Sequence, residues 1–340
     1  MAATNQLALV ADVGGTNARF ALADLRSRKL YEIKKLKVSD FGSLEAVSAA
    51  YLSAISSTPE FACFAIAGPV GGERCKLTNA NWSFTRSSIR QATGVRKIAF
   101  VNDYDAQAQA LPDLTASDLR QIGGGTAAEG SAKAVVGPGT GLGVAGLVRL
   151  QGDWTTIVGE GGHVTFAAET DEDFEIFRRL QGNFLRVSAE RVISGPGLSL
   201  VFDTVCEING LSTPRLAAEG VVERARSGTD PIAQKVTELF AKWLGRFAGD
   251  VALTLGASGG VYIAGGIPPR MLDILTAGGF RAGFEAKGRM TELMKHTPTY
   301  VVLNDEAGLR GAAAIASNVQ IPTASSCHSR EASEHDGTCE

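Results

Sequence analysis

Two glycine–threonine turns, each set between a pair of short apolar runs, limit what this chain can fold into more than any other feature of its sequence. The first lies in Val10-Ala-Asp-Val-Gly-Gly-Thr-Asn-Ala-Arg-Phe-Ala-Leu22. The second lies in Ala134-Val-Val-Gly-Pro-Gly-Thr-Gly-Leu-Gly-Val-Ala-Gly-Leu-Val148. Both read as β-hairpins. The same punctuation opening two parts of one chain points to a duplicated unit. Glycine is also in excess, at 40 of 340 residues or about 12%, against roughly 7% in ordinary proteins. Clustered between apolar runs, it marks backbone that something approaches closely.

Between the hairpins the period changes. Ser43 offers an N-cap to a run with Leu44, Val47, Tyr51 and Ile55 at helical spacing. Phe61 to Ala67 reads as a strand ending at Gly68-Pro69. A polar helix near Ser87 to Thr93 is closed by Gly94, and Ile98 to Val101 is another buried strand. After the second hairpin, Asp230-Pro231 opens a long helix carrying Ile232, Val236, Leu239, Phe240, Trp243, Leu244, Phe247 and Val251. A strand over Gly260 to Ala264 follows. Asp305 then caps a last helix with Leu309, Ala312, Ala313 and Ile315. Strands alternating with helices give an α/β class. The expected division is a smaller domain of residues 1–111 plus 304–317, a larger one of 112–303, and a disordered tail over 318–340.

Charge and cysteine exclude several functions. Lys plus Arg total 33 against 36 for Asp plus Glu, a net charge of −3. That balance provides no electrostatic basis for binding nucleic acid. Five cysteines, with no C-x-x-C pair, indicate neither a disulfide framework nor a cysteine zinc site. The uncharged stretch Val251 to Pro269 holds five glycines and two closing prolines, a poor membrane span. Met1 to Gln6 carries no positive charge and Asp12 interrupts the apolar run after it, so no signal peptide is read. A cytoplasmic chain is expected.

Three motifs are set aside. Gly141-Leu-Gly143-Val-Ala-Gly146 fits G-x-G-x-x-G, but strand-like residues flank it on both sides, where a dinucleotide fingerprint needs a helix after it. Gly256-Ala-Ser258-Gly-Gly260 fits G-x-S-x-G with helix and strand in reversed order. Glu160-Gly-Gly-His163 has metal-ligand spacing for a helix, yet its two central glycines disfavour one. His163 alone among the four histidines sits in a glycine-rich, apolar-flanked setting, where a hydrogen-bonded structural role is the plain alternative.

What remains is a constellation. Each hairpin can point backbone N–H groups and a hydroxyl at an anion, so the two resemble a pair of phosphate clamps, although a sharp turn alone also explains Gly-Gly. Asp12, just before Gly14-Gly15-Thr16, is placed to hold a hydrated Mg²⁺ between phosphates. Asn102 and Asp103 follow a buried strand, at the carboxyl end where ligands of such sheets bind. The alternative for Asp103 is an N-cap to the Ala106 to Leu111 helix.

Taken in order, Asp12-Val-Gly-Gly-Thr-Asn, Thr78-Asn79-Ala-Asn-Trp82, Val101-Asn102-Asp103, Gly137-Pro-Gly-Thr-Gly-Leu-Gly143, Gly159-Glu-Gly-Gly-His163, Ser188-Ala-Glu190-Arg-Val-Ile-Ser-Gly-Pro-Gly197 and Ile263-Ala-Gly-Gly-Ile267 resemble the bacterial glucokinase family, from about Leu7 to Ser317. The resemblance implies two actin-like ATPase domains, of ribonuclease H-like type, flanking a cleft that closes on a sugar. It implies ATP and Mg²⁺ as cofactors and glucose as substrate, phosphorylated on its 6-hydroxyl in the first step of glycolysis. It implies that Asn102, Asp103, Glu160, His163 and Glu190 grip the sugar, with Asn79 lining the same pocket and Asp103 as general base. Ala11, Asp12, Val13, Gly14, Gly15, Thr16, Gly139, Thr140, Gly141, Gly265 and Gly266 then hold the nucleotide. Magnesium comes with ATP, through water to Asp12 and with no direct protein ligand. A cytoplasmic homodimer with no nucleic-acid or membrane partner completes the expectation. Ala11 stands where many members have glycine and Tyr104 where phenylalanine is common. The repressor and open-reading-frame sugar kinases carry a zinc-binding cysteine cluster after the G-H motif; here only Cys206 follows His163 before the tail. A kinase for another hexose, or an ATP-binding regulator on the same fold, remain the alternatives.

Overall fold

Asp12 is the one charged residue in Leu7–Val13 (β1), whose alternate side chains bury on opposite faces of a sheet. The computed structural model describes residues 7–77, 81–212 and 215–320. Expected sites Asn79 and the tail beyond residue 320 lie outside them. Packing divides the chain into two units: the described residues of Met1–Leu114, Arg149–Thr156 and Glu306–Glu340, and those of Thr115–Val148 and Ile157–Asp305.

In the first unit β1 pairs antiparallel with Asn17–Asp24 (β2), which pairs antiparallel with Leu30–Lys37 (β3). Phe61–Ile66 (β4) runs parallel to β1. The helix Leu44–Ile55 (α1) begins where expected, with Ser43 Oγ accepting from the Ala46 amide. Arg74–Lys76 (β5) and Ser83–Thr85 (β6) form a small ribbon. Arg86–Thr93 (α2) starts on a reciprocal Thr85–Ser88 capping box and stops at Gly94, whose φ of 74° suits glycine. Lys97–Asn102 (β7) completes the sheet, parallel to β4, in the order β3-β2-β1-β4-β7. Asp103–Ala110 (α3) follows directly.

Leu9, Ala11 and Val13 of β1 face a core with Phe20, Leu44, Tyr51, Phe64, Phe84 and Phe100. Ala8 and Val10 face the opposite way, toward Leu309, Ala312, Ala313 and Ala316 of the C-terminal helix Ala307–Gln320. That helix starts two residues after Asp305 and runs past 318 to Gln320, so the helix outlasts its last buried residue, Ser317, by three exposed or polar positions. Arg149–Thr156 also belongs to this unit, because the Gln109 side chain of α3 donates to Thr156 Oγ1 at 2.8 Å.

The second sheet repeats the scheme. Its strands are Leu119–Gly123 (β8), Lys133–Pro138 (β9), Leu142–Leu150 (β10), Asp153–Gly159 (β11), Val261–Ile263 (β12) and Thr299–Val302 (β13), ordered β11-β10-β9-β12-β13-β8. An antiparallel β9–β10 hairpin is followed by parallel β12 and β13, as β4 and β7 follow the first hairpin. Strand β8 is the one addition, antiparallel at the far edge. The helices are Asp171–Asn183 (α4), Ala189–Val192 (α5), Gly195–Ile208 (α6), Ala218–Ser227 (α7), Pro231–Leu255 (α8), Leu272–Thr276 (α9), Gly279–Glu285 (α10) and Thr291–His296 (α11). The expected stripe on α8 is buried around Trp243, Leu244 and Phe247. Both set-aside glycine motifs lie as their flanks indicated, Gly141–Gly146 entering strand β10 and Gly256–Gly260 between helix α8 and strand β12.

Candidate active site

The first unit gathers its candidates at one edge of its sheet. Val13 pairs with Ile66, and Ile66 with Asn102, so the turn after β1 and the start of α3 leave the carboxyl ends of strands separated by β4 alone. The turn closes through the Gly14 amide donating to the Asn17 carbonyl at 3.0 Å. Asn102 makes the helix cap, its Oδ1 accepting from the Tyr104 amide at 2.9 Å and its Nδ2 reaching the Gly68 carbonyl at 3.4 Å. Capping therefore falls to Asn102, and Asp103 is the first helical residue. The phenol of Tyr104 is pushed well above its ordinary value by burial and then by the charges of Asp103 and Asp12, which puts both carboxylates within electrostatic reach of one ring.

Asp12 has a partner that sequence reading did not single out. Arg19 lies directly across the hairpin, Nη1 3.7 Å from Asp12 Oδ2. The signal was available, since six residues separate an acid from a base across a three-residue turn. Among the described residues no three His, Cys, Asp or Glu side chains converge into a cage for a metal. A single strand-end carboxylate instead suits Mg²⁺, which keeps most of its waters and is shared between one or two carboxylates and phosphates.

The second unit builds a tighter group. Gly161–His163 forms one 3₁₀ turn, with the His163 amide donating to the Glu160 carbonyl at 3.0 Å. Both glycines are needed: a Cβ on Gly162 would sit 2.0 Å from the Leu142 carbonyl oxygen, and one on Gly161 would touch Val144 at 3.0 Å. Beyond the turn, the Phe166 amide donates to the Val187 carbonyl and the Ala189 amide to the Val164 carbonyl. This short bridge fastens the His163 segment to the one bearing Glu190. His163 Nε2 then lies 3.8 Å from Glu160 Oε2, and His163 Nδ1 3.8 Å from Glu190 Oε1. All three side chains keep solvent access, Glu160 the most at 72% and Glu190 the least at 32%.

Glu190 also ties this group to the second hairpin. The Leu142 amide donates to Glu190 Oε2 at 3.0 Å, and a Cβ on Gly141 would stand 2.6 Å from that same oxygen, so a larger residue there would push the Glu190 carboxylate aside. Gly139 and Gly266 differ: apart from their chain neighbours, no described atom lies within 4 Å of where their Cβ would be. Neither fold nor packing demands glycine at these two positions. The Gly195 amide at the start of α6 donates to the Gly139 carbonyl at 2.8 Å, a link that had no signature in the sequence. Gly265, with φ of 92°, and Gly266 follow the carboxyl end of β12.

A family model described as Glucokinase matches residues 9–319. The chain belongs to the glucokinase family. A curated glucokinase from Cronobacter sakazakii is 42% identical over 307 residues, spanning 90% of this chain and 96% of the relative. The crystal structure of a glucokinase from an Antarctic psychrotroph superposes with a TM-score of 0.80 at 38% identity, covering 91% of this chain and 98% of that one. A ROK-family glucokinase from Streptomyces griseus, solved in complex with glucose and AMPPNP, shares the fold at 20% identity and a TM-score of 0.63, over 91% of this chain and 98% of that one. Like these glucokinase and ROK neighbours, the chain has the actin-like ATPase fold. Among the described residues no helix is long and apolar enough to cross a membrane.

Proposed function

We propose that this member of the glucokinase family transfers the γ-phosphoryl group of ATP to the 6-hydroxyl of glucose, yielding glucose 6-phosphate and ADP. One observation carries the reading: Glu190 joins a histidine-and-carboxylate group suited to sugar hydroxyls to a hairpin suited to phosphate, through its bond to the Leu142 amide. Hydroxyls need both donors and acceptors, and a site bonded to each hydroxyl rejects analogues that lack one. Asn102, Asp103, Glu160, His163 and Glu190 hold the sugar in this reading.

Asp103 accepts the proton of the attacking 6-hydroxyl. General-base assistance of that kind contributes about 10² to 10⁴ in rate. Ala11 to Thr16, Gly139 to Gly141 and Gly265-Gly266 hold the nucleotide, and the open approaches to Gly139 and Gly266 support that role. Asp12 would hold the hydration shell of Mg²⁺ bound with ATP, an ion that would supply charge neutralisation at the phosphates. Since phosphoryl transfer has a loose transition state, the residues act by positioning and charge stabilisation.

A coupled assay of ADP formation with glucose, mannose, fructose and N-acetylglucosamine, alongside a sugar-free control, tests the reading. Glucose is expected to give the highest kcat/KM and the control almost nothing. Equal rates without sugar, or a better substrate than glucose, overturn it. The same reading includes a cytoplasmic homodimer. The exposed Phe174 and Leu185, beside Phe166 and Phe177 at one groove of the second unit, support a subunit contact. Light scattering of the purified chain tests the dimer.

A further inference from the structure

Gly308 is the second residue of the C-terminal helix, in its first turn, where alanine is the better helix former by about 1 kcal/mol. A Cβ at this position would meet Asp12 Cγ and Oδ2, each at 2.8 Å, and Asp12 Cβ at 3.2 Å. All three nearest atoms belong to one side chain. A methyl group there would therefore displace the Asp12 carboxylate before it disturbed the backbone.

Gly311, one turn on, makes the opposite case. Its Cβ would lie 1.7 Å from the Ala106 carbonyl oxygen, so it sets how closely the helix packs on α3. The Asp12 side chain is 16% exposed, and Arg19 stands 3.7 Å away from its Oδ2. The carboxylate is thus confined between a guanidinium and the first turn of a helix, whose unpaired amides and dipole favour an anion.

We propose that Gly308 is a positioning residue for nucleotide binding: by omitting a side chain it sets where the Asp12 carboxylate stands toward nucleotide-bound Mg²⁺. The inference rests on the reading of Asp12 given above. Four proteins test it: wild type, Gly308→Ala, Asp12→Ala and the double variant. Calorimetry would measure AMPPNP binding with and without Mg²⁺ and glucose binding, and thermal unfolding would give Tm.

Gly308→Ala is expected to weaken Mg²⁺-dependent AMPPNP binding about tenfold, the scale seen for residues that orient a metal-holding group. Mg²⁺-free AMPPNP binding and glucose binding should stay within about twofold. In the Asp12→Ala background the carboxylate is gone and only the Cβ at 3.2 Å remains in the way, so the second substitution should leave Mg²⁺-dependent binding unchanged and lower Tm less than it does in the wild type. A loss of equal size without Mg²⁺, or additive losses in the double variant, overturns the proposal. Unchanged Mg²⁺-dependent binding in Asp12→Ala removes the reading of Asp12 and this role with it. Loss in Asp12→Ala with none in Gly308→Ala removes only the role of Gly308. Should Gly308→Ala fail to fold, a folded double variant supports the contact and an unfolded one overturns it.

Discussion

At Asp103 one substitution separates holding from reacting. A carboxamide in place of the carboxylate would keep a side-chain oxygen at the first position of α3 while losing the ability to take a proton. Asp103→Asn should therefore lower kcat at least about a hundredfold while calorimetry still detects glucose binding; near-wild-type turnover would remove Asp103 from the base role. Glu160→Ala should raise the glucose KM strongly instead, and an unchanged KM would remove its assignment. Elsewhere single residues carry stability. Asp173, 2% exposed, would be pushed up by burial alone, but the Glu169 amide, the Trp243 indole and the Arg246 guanidinium outweigh that and hold it below its ordinary 3.8. Its contribution is present above pH 3.8 and is lost as pH falls through the lower folded value. Arg246→Ala leaves a buried carboxylate without its partner, at a cost of about 3–5 kcal/mol, and should shallow the acid side of the stability profile. Urea melts from pH 2 to 7, a range of about five units around that value, would show no change in slope if the pair were inert.

At the scale of elements, glycine sorts by what it faces. Gly245 and Gly249 of α8 and Gly283 of α10 let two helices touch: a Cβ on Gly245 would reach the Phe280 carbonyl oxygen at 1.9 Å, and one on Gly283 the Lys242 oxygen at 2.3 Å. Such contacts are invisible in a sequence, because the partner lies tens of residues away. Gly182, exposed on α4, meets nothing within 4 Å. Gly245→Ala should cost about 1–3 kcal/mol or more, and Gly182→Ala should gain roughly half a kcal/mol, which equilibrium urea unfolding would distinguish. Local grammar was more legible. Ser43, Gly94 and Asp230 all cap the helices their positions indicate, because capping is written within four residues, and the structure adds the Thr85–Ser88 box. The cap offered for α3 was Asp103, and the structure gives it to Asn102.

For the whole molecule, repetition is the main fact. Both sheets place an antiparallel hairpin before two parallel strands, as the paired glycine–threonine turns implied. A ligand that binds the native chain stabilises it by mass action. Glucose at a hundred times its Kd should add about 2.7 kcal/mol to unfolding free energy, with no gain in Glu160→Ala at the same concentration. A calorimetric melt with no shift in the wild type would contradict glucose binding.

The sequence by itself determined the class, the duplication, the two hairpins, a few helix ends and the family resemblance, since all of these are read from short spacings. Tertiary structure alone decided which glycines serve packing and which leave backbone open, that Arg19 pairs with Asp12, that a short bridge brings His163 to Glu190, and that Gly308 faces Asp12. The physical reason is range. Caps, turns and periodicity are settled by neighbours along the chain, whereas a site depends on close contacts between residues that only packing brings together.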